Sequence, residues 1–264
     1  MATPPRSISP SSAGTFRQCP KKYQYSAIDR IGQPATTATA KGTMVHRALE
    51  LLFSEVPRGD RNRALASTML LRAADEHEEG GVFDEIARFP GREAFVREAE
   101  ISLDGYFNLE DPNLPNTILT EQRIAQVFPA VTVLGVIDRI DQLEDGSLVV
   151  IDYKTGKMPP DRFLDKEFTA LRTYAALIGQ EMGQVPVSIW LYYLSTGQTK
   201  GAKCSVDIAE MASAEILETY SKIVECCSTD NFEARASHLC QWCAFKDYCP
   251  GEAPVELKNT RSMR

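Results

Sequence analysis

The sequence predicts an α/β protein built on a mixed sheet with helices on both sides. Three observations carry that expectation. Apolar residues recur at helical spacing from Thr43 to Glu55, over residues 60–80 and 90–108, from Phe163 to Met182 and from Ala209 to Ser228. The runs "TILTEQRIAQVF", "AVTVLGVIDRIDQL" and "SLVVIDYKT" are rich in β-branched residues, and "LEDGS" between the last two is a hairpin turn signal. Two more strand-like runs, "VPVSIWLYYLS" and "TKGAKCSVDI", lie between the last two helices. Helices, then strands, then helices flanking further strands suit a sheet covered on both faces.

The elements follow in order. Ser9 is a suitable N-cap and Pro10 a suitable first helical residue, so a short helix runs to about Gln18 and ends or turns at Pro20. "GQPATTATAKG", Gly32 to Gly42, reads as a loop. In the helix from Thr43, Val45, Leu49, Leu52 and Phe53 share one face, while His46 and Glu50 lie one turn apart on a neighbouring face. The two helices over 60–108 read as a helical insertion. No internal repeat is present.

A chain of 264 residues with 43% hydrophobic and 25% charged residues suits one large domain with a packed core. It lacks the run of ~18 apolar residues that a membrane span needs. Its first residues, "MATPPRSISPSS", lack the apolar centre of a secretory signal, so a cytoplasmic location is the expectation. The net charge of −7 argues against a uniformly basic nucleic-acid binder, but the charge is uneven. Residues 1–47 hold seven Lys or Arg and one acid, whereas "DEHEEGGVFDE" holds six acids and no Lys or Arg. A basic segment on an acidic body fits a local phosphate-binding surface as well as a pair of solvated faces.

The stretch "VVIDYKTGK" ends a strand with Asp152 and Lys154. Alone, this fits a salt bridge at a strand end. Its meaning depends on Asp138 in "VLGVIDRID". A two-residue turn at Asp145-Gly146 pairs Glu144 with Ser147 and puts Asp138 opposite Tyr153. A three-residue turn, Glu144 to a left-handed Gly146, pairs Leu143 with Ser147 and puts Asp138 opposite Asp152. Lys154 then shares their face. Two carboxylates on one face repel unless a cation lies between them or one is protonated. Mg²⁺ or Mn²⁺ prefers such oxygens, and a nearby lysine can orient water or neutralise charge on a phosphate. A metal site here therefore requires the odd register.

Seven cysteines, an odd number, argue against a disulfide framework. "CQWCAFKDYC" spaces Cys240, Cys243 and Cys249 around one metal centre, and Cys19 in "FRQCPKKY" is the candidate fourth ligand. Spacing alone leaves zinc and iron–sulfur open. Cys204, Cys226 and Cys227 read as ordinary buried thiols.

"GTMVHRALE", "GVIDRID" and "VVIDYKTGK", in this order, resemble the RecB-like branch of the PD-(D/E)xK nuclease superfamily, over about Ser9 to Pro250. The resemblance implies a restriction-endonuclease-like three-layer core with a mixed central sheet, a helical insertion and a C-terminal iron–sulfur segment. On it the domain spans residues 1–250, with 56–116 as the insertion, Cys19 plus 235–250 as the staple and 251–264 as a flexible tail. It implies that His46, Asp138, Asp152 and the carbonyl of Tyr153 hold the metal and that Lys154 is the catalytic lysine.

The four cysteines, with Cys19 and Cys249 each followed by Pro, resemble the iron–sulfur subset, which implies a [4Fe–4S] cluster at Cys19, Cys240, Cys243 and Cys249. The family's Gln-x-x-x-Tyr motif is kept at Tyr174 but has Ala170 at the glutamine position, with Arg172 a candidate phosphate contact instead. Arg17, Lys21, Lys22 and Lys41 are candidate phosphate contacts, and Tyr23 and Tyr174 candidate stacking residues. Glu50 and Glu121 are candidate further acids near the metal.

The expected function is a metal-dependent DNA exonuclease acting on single-stranded ends, similar to the CRISPR-associated single-domain exonucleases. The chain has no P-loop motif and so no motor of its own. The alternatives are a nuclease subunit active only with a helicase or integrase, an iron–sulfur DNA-binding module without catalysis, and a zinc-stapled scaffold.

Overall fold

The computed structural model describes residues 2–33, 35–86 and 89–249. Pro250 and the tail expected at 251–264 lie outside the described residues. The chain forms two compact units. One comprises Met1–Gln33, Phe128–Thr132 and Glu215–Arg264; the other comprises Pro34–Val127 and Val133–Ala214.

In the first unit, strand β1 (Ser7–Ile8) leads into α1 (Pro10–Gln18). The Ser9 hydroxyl accepts the Ser12 N–H and Pro10 is the first helical residue, as the sequence indicates. Cys19 leaves the helical conformation. Pro20 then starts α2 (Pro20–Tyr23), which continues as a π-turn over Gln24–Ile28.

The second unit opens with three helices, α3 (Thr37–Glu55), α4 (Arg63–Glu79) and α5 (Arg92–Leu109). α3 starts at Thr37, not at Thr43, which corrects the loop expected over residues 32–42. The hydroxyls of Thr36 and Thr39 each accept the other's backbone N–H, a reciprocal cap that secures a first turn of poor helix formers. Met44, Val45, Ala48, Leu49, Leu51 and Leu52 of α3 are at most 1% exposed. They share a core with Leu70 and Ala73 of α4 and with Phe95, Ala99 and Leu103 of α5. Each large apolar side chain buried contributes about 1.5–3 kcal/mol, so the motif-free helices of the insertion build much of the core.

Five strands lie side by side in this unit: β2 (Thr117–Val127), β3 (Thr132–Gln142), β4 (Leu148–Lys154), β5 (Ser188–Tyr193) and β6 (Gln198–Lys203). β3–β4 and β5–β6 are antiparallel and β4–β5 is parallel, so the sheet is mixed as expected. A parallel pair needs a crossover. α6 (Asp161–Met182) supplies it and packs on β2, β4 and β5. Alternation along β4 sends Val149, Ile151 and Tyr153 to the core built by α3, α4 and α5. Asp152 and Lys154 take the opposite face. α7 (Val206–Thr229) follows, and its residues from Glu215 onward belong to the first unit.

A Cβ at Gly105 in α5 would lie 1.6 Å from the Leu194 carbonyl oxygen, so only glycine lets the two backbones meet. Gly105→Ala is expected to cost roughly 1–3 kcal/mol or more, read as a lower urea midpoint with an unchanged m-value. Among the described residues, no helix is long and apolar enough to cross a membrane.

Candidate active site

The turn between β3 and β4 decides how the site is built. Leu143 N–H donates to the Ser147 carbonyl at 2.8 Å, and Gly146 is left-handed at φ 84°. Glu144, Asp145 and Gly146 thus form a three-residue turn. Arg139 pairs with Ile151, Ile140 with Val150, Asp141 with Val149 and Gln142 with Leu148. This is the odd register, and one step beyond these pairs it brings Asp138 opposite Asp152.

Asp138 Oδ2 accepts the Tyr153 N–H at 2.7 Å. Lys154 Nζ lies 2.6 Å from Asp152 Oδ2. That contact is an ion pair outside hydrogen-bond alignment, so the buried Oδ2 accepts no aligned donor. A buried carboxylate oxygen left in this state is suited to a hard cation.

α3 contributes His46. Its Nε2 lies 3.0 Å from the Tyr153 carbonyl oxygen, which can only accept, so Nε2–H donates. Nδ1 lies 3.5 Å from Asp138 Oδ1 and 3.6 Å from Glu121 Oε1. His46, Glu121 and Asp138 each place a ligand atom within 4.8 Å of the others. The Tyr153 carbonyl is therefore engaged by His46.

Glu121 is the acid whose position the sequence signals least. It lies inside β2, yet its φ is 45°. A non-glycine residue in that region costs about 1–3 kcal/mol. Such kinks in strands re-aim side chains, and here the carboxylate points at His46. Glu50 lines the same 590 Å³ cleft as His46, Glu121 and Lys154, but is 2.8 Å from Arg47 Nη1.

The charges are strongly coupled. Burial opposes a charge on His46, but Asp138, Glu121 and Asp152 outweigh it and raise its pKa to about 10. Burial and then Asp138 push Asp152 up to about 6, against the pull of Lys154 and His46. Burial also opposes the Lys154 ammonium, and Asp152 outweighs it, so its pKa is raised.

Behind β4, Arg139 is 1% exposed and pairs with Glu110 and, at 2.8 Å, with Asp141 Oδ2. It also donates to the Tyr153 hydroxyl at 3.0 Å and stacks over Phe53. This network anchors the strand that carries Asp138 to the side chain beside Asp152. Tyr174 on α6 lies against Gly135, where a Cβ would come 2.9 Å from the ring. Burial and then Asp152 and Asp138 raise its phenol to about 12.

The expected nucleic-acid contacts divide. Arg17 is 2.5 Å from Glu215, Arg172 is 2.8 Å from Asp165, and Lys41 is 3.9 Å from Glu98. Tyr23 is 1% exposed and packs edge-on against Phe16, so it is a core residue with no face for a base. The stacking expectation for Tyr23 is thereby corrected; α2 turns this ring inward. Lys21 and Lys22 donate to Gln24 and Gln18 and remain free of carboxylates among the described residues.

Lys21 and Lys22 line a 580 Å³ cavity of the first unit together with Cys19, Cys240, Cys243 and Cys249. Arg235 N–H donates to Cys19 Sγ at 3.4 Å and Ser237 N–H to Cys240 Sγ at 3.3 Å. Among the described residues no three cysteine sulfurs lie within 4.8 Å of one another. Cys227 is buried, and Cys204 and Cys226 are half-buried.

The sequence matches the family model of the PD-(D/E)XK nuclease superfamily over residues 7–250. The chain belongs to the PD-(D/E)XK nuclease superfamily. The mixed sheet with its helices is the restriction-endonuclease-like core of that superfamily, and the hairpin with Asp138, Asp152 and Lys154 lies within the matched region. The fold is similar to that of a candidate exonuclease from Eubacterium rectale, at 11% identity and a TM-score of 0.54, over 95% of this chain and 91% of that one. The protein SSO0001 is matched at 14% identity and a TM-score of 0.46, over 95% and 88% of the two chains. No curated protein sequence matches.

Proposed function

We propose that this nuclease is a divalent-metal-dependent DNA exonuclease that acts on single-stranded ends. The observation that carries the reading is the odd-register hairpin, which sets Asp138 against Asp152 beside His46 and Lys154. His46, Glu121 and Asp138, whose ligand atoms already converge, would hold Mg²⁺ or Mn²⁺ together with Asp152, whose buried Oδ2 is met only by the Lys154 ammonium. When bound, the metal supplies charge stabilisation at a phosphate and a more acidic water. Lys154, a raised-pKa ammonium on the same face, orients that water or meets charge developing on the phosphate. Arg139 keeps the Tyr153 side of β4 fixed.

The Eubacterium rectale relative in fold is described as a candidate exonuclease, which is in line with the choice of end-directed cleavage. In the first unit, Cys19, Cys240, Cys243 and Cys249 would hold a [4Fe–4S] cluster. The shared cavity and the N–H donors on two sulfurs support a common metal centre for these thiols, and the resemblance of the four-cysteine pattern to the iron–sulfur subset favours a cluster over zinc. Lys21 and Lys22 beside it would contact phosphates. A subunit that needs a helicase or integrase has no residue-level observation in its favour.

The test compares wild type with Lys154→Ala on linear and circular single-stranded DNA in Mn²⁺. Wild type is expected to degrade linear strands and spare circles, and Lys154→Ala to lose cleavage by roughly 10²-fold or more. Equal cleavage by both proteins would sink the catalytic reading, and degraded circles would replace exonuclease by endonuclease. A broad visible absorption, lost in Cys243→Ser, is expected of the cluster; a colourless zinc protein would overturn it.

A further inference from the structure

The motif on α6 keeps Tyr174 but has Ala170 where the resembled pattern has glutamine. The structure offers a replacement one turn earlier. Glu167 lies on the same helical face as Ala170 and Tyr174, and its Oε2 is 4.0 Å from Lys154 Nζ. Tyr193 on β5 is the register neighbour of Lys154 in the parallel pair. Its hydroxyl is buried without a hydrogen-bond partner. Burial and then the Glu167 carboxylate raise this phenol to about 12, so it stays a donor at neutral pH.

We propose that Glu167 is a positioning residue for Lys154, acting from one turn before the position that glutamine holds in the resembled pattern. This rests on the nuclease reading of the site. In the structure the ammonium leans on Asp152 at 2.6 Å. Once Asp152 shares its oxygens with a cation, that hold weakens, and an ammonium on a flexible stem needs a second anchor. Among the described residues Glu167 is the second carboxylate within 4.0 Å of the ammonium, and Asp138 is itself placed to hold the cation. Its side chain is 40% exposed, so it has freedom to close the remaining gap. Its effect should fall on the chemical step, because it touches the lysine and holds no part of the metal cluster.

The experiment measures kcat and KM on linear single-stranded DNA in Mn²⁺ for wild type, Glu167→Ala, Glu167→Ala/Ala170→Gln and Lys154→Ala, with melting curves for each. Glu167→Ala is expected to lower kcat roughly 10- to 100-fold, as misplacement by about 1 Å does. KM should change by no more than about threefold, the split expected for an interaction made in the transition state. Restoring glutamine at 170 should recover at least about tenfold of the lost kcat. A purely structural glutamate would lower the melting point and gain nothing from that glutamine. Wild-type kcat in Glu167→Ala, a loss confined to KM, or failure of the rescue overturns the inference. If Lys154→Ala is inactive in those cases, the nuclease reading stands; wild-type cleavage by Lys154→Ala overturns both.

Discussion

Asp152→Asn is expected to yield a folded protein whose DNA cleavage falls by roughly 10²–10³-fold or more. Asparagine matches aspartate in size, so the packing around this 7%-exposed residue is kept. What is lost is the anionic oxygen that accepts no aligned donor and faces Asp138 across the hairpin. A cation bound to the native state raises stability by about 2.7 kcal/mol at a hundred times its Kd. Wild type should therefore melt higher in Mn²⁺, and Asp152→Asn should lose most of that increment. The two readouts belong together. Loss of cleavage with a full metal-induced shift would make Asp152 a group of the chemical step alone, and wild-type cleavage would remove it from the site.

Mn²⁺ affinity is expected to rise about tenfold per pH unit between about pH 7 and pH 9, then to flatten near pH 10. The cause is His46, raised to about 10 by Asp138, Glu121 and Asp152 against the opposing effect of burial. At neutral pH the metal-free site carries an imidazolium, and a cation that takes His46 as ligand must displace its proton. Asp152, raised to about 6, adds a second proton below that pH and steepens the slope. Calorimetric titrations in two buffers of different ionisation enthalpy count the protons released. A flat affinity over this range would show that His46 gives up no proton to the metal. The stability of the metal-free fold follows the opposite sign. A histidine whose folded pKa lies above 6.5 stabilises fully below pH 6.5, and that contribution is lost as pH rises through about 10.

The parts of the site legible in the sequence were those with a short-range cause. The register followed from the chemistry of one turn, because glycine after Glu144-Asp145 permits the left-handed third residue. The cap at Ser9 and the alternation along β4 were legible for the same reason. The first turn of α3 was not, because threonine, alanine and glycine over residues 36–42 fit a loop as well, and only the reciprocal Thr36–Thr39 hydrogen bonds decide between them. Glu121 reaches His46 through a left-handed residue inside a strand, a feature that periodicity does not signal. Tyr23 was misread because a basic, aromatic neighbourhood resembles a nucleic-acid contact, while packing on Phe16 decides its direction. Glu167 took its meaning only from tertiary distance to Lys154.

The three-residue turn has a consequence for how this chain tolerates change. Asp145 and Ser147 hold each other by hydrogen bonds, and Glu144 and Asp145 lie at an exposed tip, where substitutions and even length changes are usually absorbed. Here the left-handed glycine and the length are both constrained. Dropping or adding one residue would slip the register by one, turning Asp152 away from Asp138 and sending the core-facing side chains of one strand to its other face. Indels at an exposed loop tip are thus filtered by the core and by the chemistry at once, and the length of this loop is as much a part of the active site as the side chains that flank it.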